Sequence, residues 1–281
     1  MWDMSSIENA NGAFKNTRIK KFFSSATGEN KSTFTSINNI SSLFENNTSL
    51  NYFDSSLIAP LKSLTSLNNA FSGCTSLFDL GEGYKTWPTS AVSDFSYLFS
   101  KTQLTDIDLS NETWNFEKAS KYAGMFSGCS ALTTIDGISK LFPSSAIKSR
   151  DITDLFNSCK ELNESTLEGI ASWNMFDQDD NCVLNGFQNT FYGCKQLTDS
   201  KKIFTDTLLS KTYSKVTDIS GIFGECTNCT TITMPKFTNL TTAQKMCYNC
   251  TSLAELDLSR VNFYHCNDLN ITGAYPKDAL Y

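Results

Sequence analysis

The stretch Trp114–Ile138, WNFEKASKYAGMFSGCSALTTIDGI, decides the fold, because its anchors return along the whole chain. Taking the Phe of each copy as zero, the series is Phe14, Phe44, Phe71, Phe99, Phe126, Phe156, Phe191 and Phe223, with Cys247 in the same slot. Successive steps are 30, 27, 28, 27, 30, 35, 32 and 24 residues. A self-similar period of roughly 20–50 residues marks a stacked array, in which each unit is too small to bury its own apolar face. The chain therefore reads as nine layers, numbered here by these anchors.

Around each anchor the apolar positions keep register. Seven residues earlier stand Ile7, Ile37, Leu64, Val92, Ala119, Leu184, Val216 and Leu240, and only Ser149 breaks the column. Positions four and one before the anchor are also apolar in nearly every copy, as in Ile40 and Leu43 or Tyr122 and Met125. Spacings of three, three and one predict a short α or 3-10 helix with one buried face. Three residues after the anchor comes a small or thiol side chain, Cys in Cys74, Cys129, Cys159, Cys194, Cys226 and Cys250. Beyond it, segments such as LTDIDLS (Leu104–Ser110) and LAELDLS (Leu253–Ser259) carry an L-x-x-L/I-x-L pattern, which predicts one short strand per layer. The polar stretches 24–33, 143–149, 177–182 and 206–215 account for the longer steps and are expected as loops near one edge.

The fold class expected is an α/β repeat: a right-handed leucine-rich-repeat solenoid of about nine layers, with one short parallel strand and one short helix in each. One domain, 1–281, is expected, with 260–281 as a C-terminal cap. The first layer is expected to need further chain or a partner against its apolar edge.

Composition narrows the function. A chain 40% hydrophobic and 19% charged fits a folded globular protein and excludes disorder. No run of 18 apolar residues suggests membrane insertion. The net charge of −6 argues against a nucleic-acid backbone as partner, since phosphate binding rests on clustered Lys and Arg. The single His265 lies beside Cys266, which is not the arrangement of a Cys–His nucleophile, and no glycine-rich phosphate loop is present. A non-enzyme without cofactor is expected.

Two candidate sites remain. The pairs Cys226-x-x-Cys229 and Cys247-x-x-Cys250 have the spacing of a tetrathiolate zinc site, yet all four fall on core positions of the repeat, which favours buried thiols. Asp177, Asp179, Asp180 and Asn181 cluster in an insertion but miss the calcium-loop spacing, which favours a solvated loop. Strand alternation turns another set outward: Tyr52, Asp54, Asp79, Asp106, Asp108, Asp136, Asp199, Glu255 and Asp257. Like charges stacked in register repel, so this column is the candidate ligand face; the alternative is that it keeps an exposed sheet soluble.

The repeat also resembles a known family, the BspA-type leucine-rich-repeat surface proteins of bacteria, in the variant W-D-x-S-x-V-x-x-M-x-x-M-F-x-x-C-x-x-L. Trp2 to Phe14, Trp87 to Phe99 and Trp114 to Cys129 carry the likeness, each Trp twelve residues before its Phe, whereas Trp173 stands eighteen before Phe191. The resemblance implies a solenoid on a cell or particle surface that binds a host or cell-surface protein or glycan, and it implies no catalytic residues. Bacterial surface, virion component and passive spacer are the competing settings.

Overall fold

The computed structural model describes residues 4–23, 34–58, 64–143, 147, 149–177, 179 and 181–268. The repeat anchors converge on one continuous core running from Ala10 to Leu256. Phe14, Phe44, Phe71, Phe99, Phe126, Phe156, Phe191 and Phe223 form an unbroken ring stack, each near-parallel to the next at 5.3–6.3 Å between centroids. Offset stacking of this kind contributes about 0.5–1.5 kcal/mol per pair beyond the apolar area buried.

Short parallel strands run along one side of the stack. β1 (Lys21–Phe22) pairs with β2 (Tyr52–Phe53), β3 (Asp106–Asp108) with β4 (Thr134–Asp136), and β8 (Thr231–Thr233) with β10 (Glu255–Asp257). Single bridges, Tyr52 to Asp79 and Asp199 to Thr231, extend these pairs. A second ladder lies five residues before each anchor: Asn9, Asn39 and Ser66, then Asp94, Lys121 and Asp151, then Asp218, Thr242 and Asp268. Two more strands, β5 (Arg150–Asp151) and β6 (Leu184–Gly186), carry it across the sixth and seventh layers. On a third side β7 (Thr212–Tyr213) pairs with β9 (Lys236–Phe237).

The segment read as helical around each anchor is instead a chain of β-turns. Leu43, Glu45 and Asn47 N–H groups return to the carbonyls three residues earlier, at 2.9–3.1 Å. The alternate amides, of Ile40, Ser42, Phe44 and Asn46, cross to the next layer at 2.7–3.1 Å. Two residues before and two after the anchor the backbone turns left-handed, which places a type II turn on each side. In the nine layers these slots hold Gly12, Ser42, Asn69, Tyr97, Gly124, Asp154, Asn189, Gly221 and Lys245 before the anchor, and Asn16, Asn46, Gly73, Lys101, Gly128, Ser158, Gly193, Glu225 and Asn249 after it. Gly and Asn dominate because a left-handed backbone crowds a Cβ, which Gly lacks and for which Asn compensates with its short polar side chain.

Short helices do occur, but they follow the strand. They are the 3-10 turns Ser55–Ile58, Gly83–Thr86, Ile138–Leu141, Gly169–Ser172 and Ser200–Lys202, with α1 (Glu164–Glu168) and α2 (Asp206–Ser210). The stretch 206–215, read as a loop, is thus α2 followed by β7. Residues 24–33 lie outside the description, and 143–149 is described only in part. The C-terminal segment is described to Asp268, which adds a further rung against Thr242; the rest of the expected cap lies outside the described residues.

The irregular columns in the sequence have local causes. Ser149 breaks the apolar column because the strand bulges: Arg150 pairs with Leu184 and Asp151 with Gly186. Arg150 occupies the buried place at 1% exposure, its guanidinium 4.8 Å from the Phe142 ring centroid. Trp173 performs the same task as the regularly spaced tryptophans. Its indole N–H donates to the Ile138 carbonyl at 2.8 Å, as those of Trp114 and Trp87 do to Tyr84 at 2.9 Å and Ser55 at 3.3 Å.

Candidate functional site

The thiol slot is a structural device. At six anchors the Phe carbonyl accepts the N–H three residues on within its own layer, and the Cys of the next layer donates its S–H to the same oxygen. Phe44 O takes Asn47 N–H at 2.9 Å and Cys74 Sγ at 3.1 Å. The pattern repeats from Cys129 to Phe99, Cys159 to Phe126, Cys194 to Phe156, Cys226 to Phe191 and Cys250 to Phe223, at 2.9–3.4 Å. A thiol is small and apolar enough for a sealed core and still serves a second lone pair. Burial pushes the thiols up, to about 12 for Cys74 and about 11 for Cys129.

All ten cysteines are free thiols. Cys226, Cys229, Cys247 and Cys250 are each at most 2% exposed, and Cys229 Sγ donates to the Thr231 carbonyl at 3.4 Å. Among the described residues no group of three or more Cys, His, Asp or Glu side chains could hold a metal ion. The zinc-like spacing arises from three core slots of two adjacent layers: the thiol slot at Cys226 and Cys250, the slot three residues on at Cys229, and the anchor slot at Cys247. Asp177 likewise turns its carboxylate inward on its own loop, accepting from Asp179 N–H and Asn181 N–H at 2.9 Å each.

The outward strand residues gather on one face, and most of their carboxylates also end the strand that carries them. Asp54 accepts from Ser56, Asp79 from Gly81 N–H at 2.7 Å, Asp108 from Ser110 N–H at 2.9 Å, Asp199 from Lys201 N–H at 2.8 Å and Asp257 from Ser259 N–H at 2.9 Å. These are Asx turns, the side chain standing in for a backbone carbonyl. The hydroxyl of Ser110, its N–H and then Lys85, 3.8 Å away, hold the Asp108 carboxyl below its usual range. The Ser259 hydroxyl, its N–H and Arg260 at 2.9 Å do the same for Asp257. Partial burial, then the carboxylates of Asp54 and Asp79, raise the Tyr52 hydroxyl. Asp106, Asp136 and Glu255 are exposed on the same face, with Asp106 accepting from the Thr105 hydroxyl at 2.9 Å.

This face is not continuous. In the sixth layer α1 replaces the strand, so one block of outward residues runs from Tyr52 to Asp136 and a second from Asp199 to Asp257. A separate cleft of about 290 Å³, between Glu112, Trp114, Asn115, Phe116, Glu117, Lys140 and Pro143, is just below the roughly 300–1,000 Å³ of small-molecule pockets. The Lys140 ammonium there is committed to the carbonyls of Leu109, Ser110 and Asn111 at 3.3, 3.2 and 2.6 Å. His265 stands exposed, 4.8 Å from the Tyr264 ring. Among the described residues no helix is long and apolar enough to cross a membrane.

Sequence reading missed the second ladder's own polar column. Asn9, Asn39, Asp94, Asp151 and Asp218 each accept the N–H two residues on, at 2.7–3.0 Å. Its signal was the recurring Asn/Asp-x-Ser/Thr, as in Asp94-Phe95-Ser96 and Asp218-Ile219-Ser220.

Among the solved structures that resemble the chain are two leucine-rich repeat proteins. One is a leucine-rich repeat protein from Bacteroides ovatus, 14% identical, TM-score 0.37, with 95% of this chain and 70% of that one covered. The other is a leucine rich cell surface protein from Faecalibacterium prausnitzii, 14% identical, TM-score 0.29, with 85% and 76% covered. No curated protein matches. The family described as "Mycoplasma protein of unknown function, DUF285" matches residues 17–168 and 147–271, which together span most of the sequence, and the chain belongs to that family.

Proposed function

We propose that the chain is a non-catalytic binding module, displayed on a bacterial cell surface or a particle, that engages a protein or glycan of a host or neighbouring cell. One observation carries this reading: outward side chains are held in register on a rigid, hydrogen-bonded ladder, as in Asp106 beside Thr134 and Asp108 beside Asp136. Repeat arrays present such preorganised faces, and their function lies in the outward residues rather than the fold. The block Tyr52, Asp54, Asp79, Asp106, Asp108 and Asp136 is the first choice for contact, with Asp199, Glu255 and Asp257 as the second.

The test is binding of the purified chain to host cells with Asp106→Asn and Asp108→Asn combined. Asn keeps the turn-capping oxygen and removes the charge, so the fold is preserved. A fall in binding of tenfold or more is expected. Unchanged binding removes this face from the reading, and no binding by either protein favours a spacer.

A further inference from the structure

One constellation lies away from the strand face, on the ridge made by the β-turns. The position just after the anchor reads Tyr192, Gly224 and Tyr248 in the seventh, eighth and ninth layers. Tyr192 leans toward the eighth layer: a Cβ built on Gly224 would meet its Cδ2 and Cε2 at 2.6 Å each, and one on Gly221 its Cδ2 at 3.3 Å. Gly221 needs its glycine for a left-handed backbone, φ +63°. Gly224 is not among the left-handed residues, so the Tyr192 ring, with the Lys245 carbonyl at 3.2 Å, is what excludes a side chain there. The ring is therefore seated by design of the sequence and pays little ordering cost on binding.

Polar groups surround the two rings. The Glu225 carboxylate lies beside the Tyr192 hydroxyl, and partial burial followed by that carboxylate pushes its titration up to about 12. Tyr248 is 37% exposed, with the Lys245 ammonium 5.8 Å from its ring centroid. Equivalent slots two layers apart are separated by about 10 Å, each rung adding about 4.8 Å, and the lean of Tyr192 shortens that gap.

We propose that Tyr192 and Tyr248, rimmed by Glu225 and Lys245, form a binding platform for a linear, uncharged oligosaccharide. Aromatic faces take the C–H faces of sugar rings, and the carboxylate and ammonium bond their hydroxyls. One acid and one base cancel at the rim, so neither a polyanion nor a polycation is favoured. The platform shares the reading of the chain as a binding module, but it uses a different face from the acidic strands.

The experiment titrates the full chain with cellohexaose and chitohexaose, by calorimetry and saturation-transfer NMR. Saturation transfer to ring protons of at least one oligosaccharide is expected. Tyr248→Ala, an exposed position, is expected to weaken that affinity at least tenfold. Tyr192→Phe keeps the ring on Gly224 and loses the hydroxyl beside Glu225, and it is expected to weaken binding several-fold. No binding of either oligosaccharide, or parent-like binding by Tyr248→Ala, overturns the proposal. Host-cell binding that persists without any saccharide signal overturns this platform alone and leaves the strand-face reading intact.

Discussion

Glu164 Oε1 accepts both the backbone N–H and the hydroxyl of Thr198, at 2.9 and 2.7 Å. Elsewhere the amide in this place goes to a backbone carbonyl, as Thr133 N–H does to Thr105 and Thr230 N–H to Thr198, each at 2.8 Å. In the sixth layer the chain enters α1 here, capped by Asn163 Oδ1 on the Thr166 N–H at 2.7 Å, so the strand carbonyl is missing. A glutamate side chain replaces it. Glu164→Ala is expected to cost about 1–2 kcal/mol, in the range of a hydrogen bond to a charged group, read from the denaturation midpoint.

The same pair fixes a pH dependence. Partial desolvation raises the Glu164 carboxyl, but the Thr198 N–H and hydroxyl outweigh it and the net shift is downward. A depressed carboxylate contributes stability above its unfolded value, about 4.3, and that contribution is lost as pH falls through the lower folded value. The parent is therefore expected to lose stability more steeply below about pH 4.5 than Glu164→Gln, which cannot titrate. Matching acid-unfolding slopes in the two proteins would contradict this.

The left-handed slots make a prediction of opposite signs. Ser158 has φ +63° and Gly193, its counterpart one layer on, φ +70°. A left-handed non-glycine residue costs about 1–2 kcal/mol, whereas glycine's extra chain entropy costs about 0.5–1 kcal/mol. The strain wins. Ser158→Gly is expected to stabilise and Gly193→Ala to destabilise, each by about 0.5–1 kcal/mol, both read by thermal unfolding.

These slots also mark what the sequence could convey. The anchor column was legible because burial repeats with the layer, whatever the local backbone. The turn geometry was not, because apolar spacings of three suit a short helix and a run of β-turns equally. Gly or Asn two residues either side of Phe, as at Gly124 and Gly128 around Phe126, was the discriminating signal. Alternation placed Asp108 and Asp257 on the outer face, but the serine two residues on, which converts each into a strand-ending turn, went unread.

The ring stack couples the layers. Phe126 is fully buried, and its centroid lies 6.0 Å from Phe99 and 5.8 Å from Phe156. Phe126→Ala is expected to cost about 3–5 kcal/mol, the range for a large core truncation. Because stability in an array is a sum over layers and their interfaces, the loss falls on both neighbours. A single sharp transition is expected to broaden or split, with the two halves melting separately. Retention of one equally sharp transition would show that the coupling lies in the backbone ladders instead.

The thiols supply the last prediction. Cys266 alone among the ten is not buried, whereas the others sit in the core with an S–H already given to a carbonyl in most cases. A thiol reacts as its thiolate, and burial that lifts Cys129 to about 11 and Cys229 to about 12 leaves almost none of it at neutral pH. With a chromogenic disulfide reagent at pH 8, the native protein is expected to release one equivalent rapidly. All ten should appear only after denaturation, with nine following the unfolding rate. Rapid release of a second equivalent would place a ladder thiol within reach of solvent, and Cys129→Ala or Cys250→Ala would then identify which layer opens.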